Sequence, residues 1–153
     1  MNIAEHAMTE HAAAAPMLAQ VEQWAAINSG TGNLAGLAQV AGLLTDAFAA
    51  LPGTLRLIDP APEELVRPDG NVQMIQRGQH LHLSVRPTAN RRILLTGHMD
   101  TVFPADHPFQ TLREIEPGVI NGPGTADMKG GIAVMLAALT AFETSPEIGR
   151  AHV

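Results

Sequence analysis

At 153 residues the chain is long enough for one domain with its own hydrophobic core and short for two. Hydrophobic residues at 46% against 16% charged exclude a disordered chain, and a net charge of -6 with nine scattered Lys and Arg excludes the basic surface that a nucleic acid or anionic membrane selects. Cysteine is absent, so disulfides, thiolate metal ligands and thiol catalysis are excluded, and any metal must be held by His, Asp or Glu.

The first fifteen residues are alanine-rich but carry Glu5, His6, Glu10 and His11 and no basic start, unlike a secretory leader. They are expected to fray. No uninterrupted apolar run approaches the roughly 18 residues of a membrane span, so the expectation is a cytoplasmic protein with no membrane partner.

Met17, Leu18, Val21, Trp24 and Ala25 recur at helical spacing and predict a helix from about Ala12 to Ile27. Asn28-Ser29-Gly30-Thr31-Gly32-Asn33 breaks it and offers N-caps for a second helix, whose apolar stripe is Leu34, Leu37, Ala41, Leu44, Phe48 and Leu51. Pro52-Gly53 ends that helix. Strands follow at Thr54 to Asp59, Val72 to Gln76 and His80 to Arg86, the last two flanking Arg77-Gly78-Gln79 as a hairpin, while Glu63-Glu64 reads as a solvated turn. Ile93-Leu94-Leu95 is a continuous apolar run of the kind found in strands buried on both faces. Two short strands are expected around Pro117-Gly118, then a helix from about Asp127 to Glu143 with Ile132, Met135, Leu136, Leu139 and Phe142 on its apolar side. The pattern predicts an α/β fold with a mixed sheet flanked by helices.

Two stretches carry the chemistry. Gly97-His98-Met99-Asp100-Thr101-Val102-Phe103-Pro104 sets an imidazole and a carboxylate two residues apart after the apolar run, hence on one side of an extended chain. His98 so placed can bind a metal while Asp100 orients its ring and raises its basicity; the plainer alternative is a surface His and Asp after a strand. Gly122-Pro123-Gly124-Thr125-Ala126-Asp127-Met128-Lys129-Gly130-Gly131 sets a carboxylate where a glycine-rich turn becomes a helix. Asp127 stands where a dinucleotide fingerprint has its third glycine and would repel a pyrophosphate, which argues against a nucleotide-binding α/β module. It remains either a helix N-cap or a metal ligand. Gly130 and Gly131, costly inside a helix, suggest close approach by another backbone or a substrate. The other histidines carry weaker signals: His80 and His82 read as solvent-facing, His6 and His11 as terminal, and His107 as a candidate cleft residue.

The run Leu94 to Val102 with Gly122 to Gly131 resembles the di-zinc family of glutamate carboxypeptidase, acetylornithine deacetylase, succinyl-diaminopimelate desuccinylase and aminoacylase. Asn28-Ser29-Gly30-Thr31-Gly32 resembles the early glycine-rich turn of the glutamate carboxypeptidase branch. The resemblance implies a metal-dependent hydrolase of amide bonds, either a carboxypeptidase or an N-acyl-amino-acid deacylase, acting on a small carboxylate-bearing amide. It implies two zinc ions, with cobalt or manganese as substitutes, His98 as a ligand of one ion, Asp127 as the carboxylate bridging both, and Asp100 as the catalytic-site aspartate behind His98. It also makes Asp127-Met128 a candidate non-proline cis peptide. The family's general-base Glu-Glu pair, later ligands and dimer-forming lid are not recognisable: after Asp127 the only acids are Glu143 and Glu147. The expectation is therefore a truncated, inactive amino-terminal part of the catalytic domain over residues 1–147, homodimeric only when intact; the alternative is a non-catalytic remnant binding at most one ion. Ile148-Gly149-Arg150-Ala151-His152-Val153 back-translates as ATC GGA AGA GCA CAC GTC, resembling a sequencing-library adapter, so residues 148–153 are expected to be an artefactual tail.

Overall fold

The computed structural model describes residues 3–145, so the tail reading for 148–153 lies outside the described residues. The chain is α/β, and its helices build the core. Helix α1 spans Ile3–Ala13, α2 Met17–Ala25 and α3 Leu34–Phe48. The first two correct the single helix expected from Ala12. Pro16 lacks the N–H that would continue the helical ladder, so the chain turns there, and the start is helical, with His6 pairing to Glu10 at 3.2 Å. Asn33 caps α3 by accepting a hydrogen bond from Gly36 N at 3.1 Å.

Helix α4, Gly130–Glu143, starts three residues later than the sequence suggests. It buries Ile132, Ala133, Leu136, Ala137 and Ala141, whereas Phe142, expected on the apolar side, is exposed. Its small residues admit close neighbours: Trp24 from α2 and Val40, Leu44 and Phe48 from α3 join Ile132, Ala133 and Leu136 in one core cluster. Burying such side chains contributes roughly 1.5–3 kcal/mol each. The apolar stretch from Thr125 to Glu143 has the length and composition of a membrane span. Its regular helix, however, is 14 residues, roughly 21 Å by helical rise, against a hydrocarbon core of about 30 Å.

The strands form three two-stranded antiparallel ladders. Strand β1, Thr54–Ile58, pairs with β4, His80–Ser84, placing Leu55 opposite Leu83 and Leu57 opposite Leu81. Leu55, Leu81 and Leu83 pack onto the helical core. Strand β2, Glu63–Val66, pairs with β3, Val72–Ile75. This corrects two expectations: β3 and β4 are not a hairpin, and Glu63-Glu64 lies in a strand. The turn that wins is Arg67-Pro68-Asp69-Gly70, where Gly70 takes φ +83° and donates to Arg67 O at 2.9 Å. Strands β5, Arg113–Glu116, and β6, Val119–Asn121, flank Pro117-Gly118 as expected.

The largest departure is Ile93-Leu94-Leu95. It lies outside the strands, and Ile93 and Leu94 are 87% and 86% exposed. A strand buried on both faces needs a ladder partner on each side and a layer on each face. Among the described residues this segment gains only a parallel bridge farther along, Gly30 with Thr101.

Candidate metal centre

The turn at 28–31 and the segment 99–103 are laced together, and the site grows from that junction. Thr101 N donates to Ser29 O at 2.9 Å, Thr31 N to Thr101 O at 3.1 Å, and Ser29 Oγ to Met99 O at 2.8 Å. Asn28 Nδ2 donates to Phe103 O at 3.1 Å and to Gln110 Oε1 at 2.8 Å. Gly30 is required here because a Cβ would sit 2.4 Å from Phe103 O.

His98 projects beside this junction and lies between two carboxylates. Its Nδ1 is 3.1 Å from both Asp100 Oδ1 and Asp100 O, and its Nε2 is 2.9 Å from Asp127 Oδ1. Thr31 Oγ1 donates to the other oxygen of Asp100 at 2.6 Å. Burial pulls the imidazole pKa down, but hydrogen bonding to the Asp127 carboxylate and to the Asp100 carbonyl, with the two carboxylate charges, outweighs it, so His98 sits above its ordinary value of 6.5. Each ring nitrogen faces a carboxylate oxygen, Nδ1 that of Asp100 and Nε2 that of Asp127.

Asp127 reaches this point from a wide turn, Thr125–Lys129, and not from a helix. Its φ -126° and ψ 96° are non-helical, and the Asp127-Met128 peptide is cis, as the family resemblance led one to expect. The N-cap alternative is therefore replaced by a turn-borne carboxylate, whose side chain is 87% exposed. Gly130 is explained by the same turn: a Cβ there would lie 2.5 Å from Thr125 O, so the close approach is the turn's own backbone. Lys129 is fully buried and donates from Nζ to Ile27 O at 3.2 Å. Burial lowers its pKa to about 8.

The structure thus brings His98, Asp100 and Asp127 together. His107 instead packs its ring on Phe103, centroids 4.9 Å apart, and accepts from Phe109 N through Nδ1 at 3.0 Å. His80 and His82 are exposed. Sequence reading missed Thr31 and Lys129 as parts of this region. The hydroxyl in Ser29-Gly30-Thr31 was visible, but not its carboxylate partner.

One imidazole nitrogen and one carboxylate oxygen facing each other are a donor set that suits zinc. They fit with a small adjustment, since donors held at about 2.0–2.2 Å around one ion sit slightly farther apart than hydrogen-bonded partners. Among the described residues no group of three or more His, Asp or Glu gathers to hold a metal. Two donors are present, not a closed site.

Residues 94–149 match the model of peptidase family M20/M25/M40. The chain is 43% identical over 70 residues to the succinyl-diaminopimelate desuccinylase of Methylobacterium nodulans, covering 40% of this chain and 17% of that protein. The enzymes of the same name from Corynebacterium glutamicum and Maricaulis maris are 42% and 44% identical over 57 and 63 residues; each match covers 37% of this chain, and 15% and 16% of those proteins. The matches thus span less than a fifth of these relatives' lengths. The segment that carries His98, Asp100 and Asp127 is thus the part of the chain that is similar to peptidase family M20/M25/M40 and to these desuccinylases.

Proposed function

We propose that this chain supplies one side of the metal centre of a zinc-dependent amide hydrolase acting on a small carboxylate-bearing amide in the cytoplasm. The observation that carries the reading is the 2.9 Å approach of His98 Nε2 to Asp127 Oδ1, with Asp100 engaging the opposite ring nitrogen. His98 and Asp127 are the donors. Asp100 accepts Nδ1–H, which fixes the ring and leaves the Nε2 lone pair for a cation. The open flank of Asp127 gives its second oxygen room to bridge to another ion. Bound zinc supplies Lewis-acid polarisation of the amide carbonyl and acidifies water.

Between a carboxypeptidase and a deacylase, the names of the three relatives favour a deacylase. The substrate's carboxylate is taken as a general feature of that chemistry and is not assigned to a residue. A two-ion centre needs about four ligands per ion, so the remaining donors and the general base lie beyond the described residues, and the chain alone is inactive. The gathering of only two donors also favours a second reading, a remnant that holds at most one ion. A nucleotide-binding module is disfavoured, because Asp127 stands in the approach to α4 where a phosphate would have to sit.

Elemental analysis after dialysis against zinc tests the assignment. The expected result is up to about one ion per chain, lost in both His98→Ala and Asp127→Ala. Equal retention by either variant refutes it. Hydrolysis of N-succinyl or N-acetyl amino acids by the chain alone should stay at background, and turnover would overturn the inactivity.

A further inference from the structure

We propose that Thr31 is a positioning residue for the imidazole: its hydroxyl clamps the Asp100 carboxylate and so commits the proton of neutral His98 to Nδ1, leaving Nε2 for a cation. The inference rests on the reading of His98 as a metal ligand. It joins a turn from the amino-terminal quarter of the chain to the metal centre.

The hydroxyl has one proton and two acceptors within reach, Asp100 Oδ2 at 2.6 Å and Thr101 O at 3.3 Å. The shorter contact to the charged oxygen takes it. The Asp100 carboxylate is then held at both ends, Oδ2 by Thr31 and Oδ1 by His98 Nδ1 at 3.1 Å. Without the clamp, a carboxylate that is one-third exposed can turn toward water. Thr31 is itself fixed by its N–H to Thr101 O and by the neighbouring Gly30–Thr101 bridge, so the clamp comes from a tied backbone. The groups facing His98 are two carboxylates that compete for its proton, Asp100 at Nδ1 and Asp127 at Nε2. Asp127 is largely solvated, whereas Asp100 is preorganised. Thr31 tips the competition.

Two-bond 15N–1H correlations of the imidazoles in the metal-free, labelled chain, recorded near pH 9 where imidazoles are neutral, read the tautomer directly. The His98 resonance is assigned by its loss in His98→Asn. Wild type and Thr31→Ser should show mainly Nδ1–H, and Thr31→Val and Thr31→Ala should move the population toward Nε2–H. An unchanged tautomer in a folded Val or Ala variant overturns the proposal, as does a folded Ser variant that behaves like Val. Loss of the dispersed amide spectrum in both Val and Ala also overturns it, because the hydroxyl then supports the fold and not the ring. Zinc added to wild type separates this inference from the metal assignment. If zinc leaves the His98 signals unmoved while the tautomer still depends on Thr31, the metal reading fails and the positioning role stands. If zinc binds through Nε2 with equal affinity in wild type and Thr31→Val, the metal reading stands and the positioning role fails. The expected loss is about tenfold, the lower end for groups that support a ligand from behind.

Discussion

Lys129 sends its ammonium 3.2 Å from the main-chain carbonyl of Ile27, across 102 residues of sequence, and buries the whole side chain in doing so. The contact ties the turn that carries Asp127 to the chain just past the end of α2. It also leaves a cation with one hydrogen bond and little water, which is why its pKa falls from 10.5 to about 8. Between those values the unfolded chain binds more protons than the folded one, so stability rises with pH in that window. Urea denaturation at pH 8 and at pH 10.5 should show wild type gaining on the order of 3 kcal/mol at most. Lys129→Met should flatten the dependence. A wild-type stability that falls over the same window contradicts the buried ammonium.

Two glycines of α3 predict opposite signs for one substitution. A Cβ on Gly36 would stand 1.8 Å from Asn28 O, a backbone atom held by the Asn33 side chain, whereas one on Gly42 meets nothing within 4 Å. Gly36→Ala should cost roughly 2–4 kcal/mol through displacement of the capping turn. Gly42→Ala should stabilise by roughly 0.5–1 kcal/mol, the gain of removing a helical glycine. Thermal or urea unfolding of the pair checks both.

Arg86 and Glu143 form a two-pronged ion pair, 2.7 and 2.6 Å, joining the end of β4 to the last turn of α4. The Arg86 hydrogen bond holds the Glu143 carboxyl below its ordinary 4.5, outweighing the opposing effect of burial. A lowered carboxylate pKa stabilises the fold above the unfolded value, and that contribution disappears as pH falls through the folded one. Wild type should therefore be more stable than Glu143→Gln at pH 7, and the gap should close as the solution is acidified below about pH 4. Half a molar salt should narrow it too, since Arg86 is exposed.

Leu94 and Leu136 separate apparent from actual burial. Both belong to strongly apolar stretches, but Leu94 is 86% exposed and Leu136 is 5% exposed. Leu94→Lys should change unfolding free energy by no more than about 0.5 kcal/mol, whereas Leu136→Ala should cost roughly 2–5 kcal/mol. A large loss from Leu94→Lys in urea melts would mean that this segment is packed in solution.

The features legible in the sequence are those set by near neighbours. The three-and-four spacing of Leu37, Ala41, Leu44 and Phe48 is enough to specify an amphipathic helix, and Pro117-Gly118 is enough to specify a turn between short strands. The residue types at 98, 100 and 127 offer only oxygen and nitrogen donors to a cation, and the chain has no cysteine to add a thiolate. Pairing and burial depend on partners far away, so tertiary structure decided them. It set β1 against β4 instead of β3 against β4, left Ile93 and Leu94 in solvent, and buried Lys129. It also placed a threonine hydroxyl on Asp100 across 69 residues. Local propensity cannot encode which carboxylate a hydroxyl will meet. That choice is made by the packing of the turn at 28–31 against the segment at 99–103, which fixes their side chains at hydrogen-bonding distance.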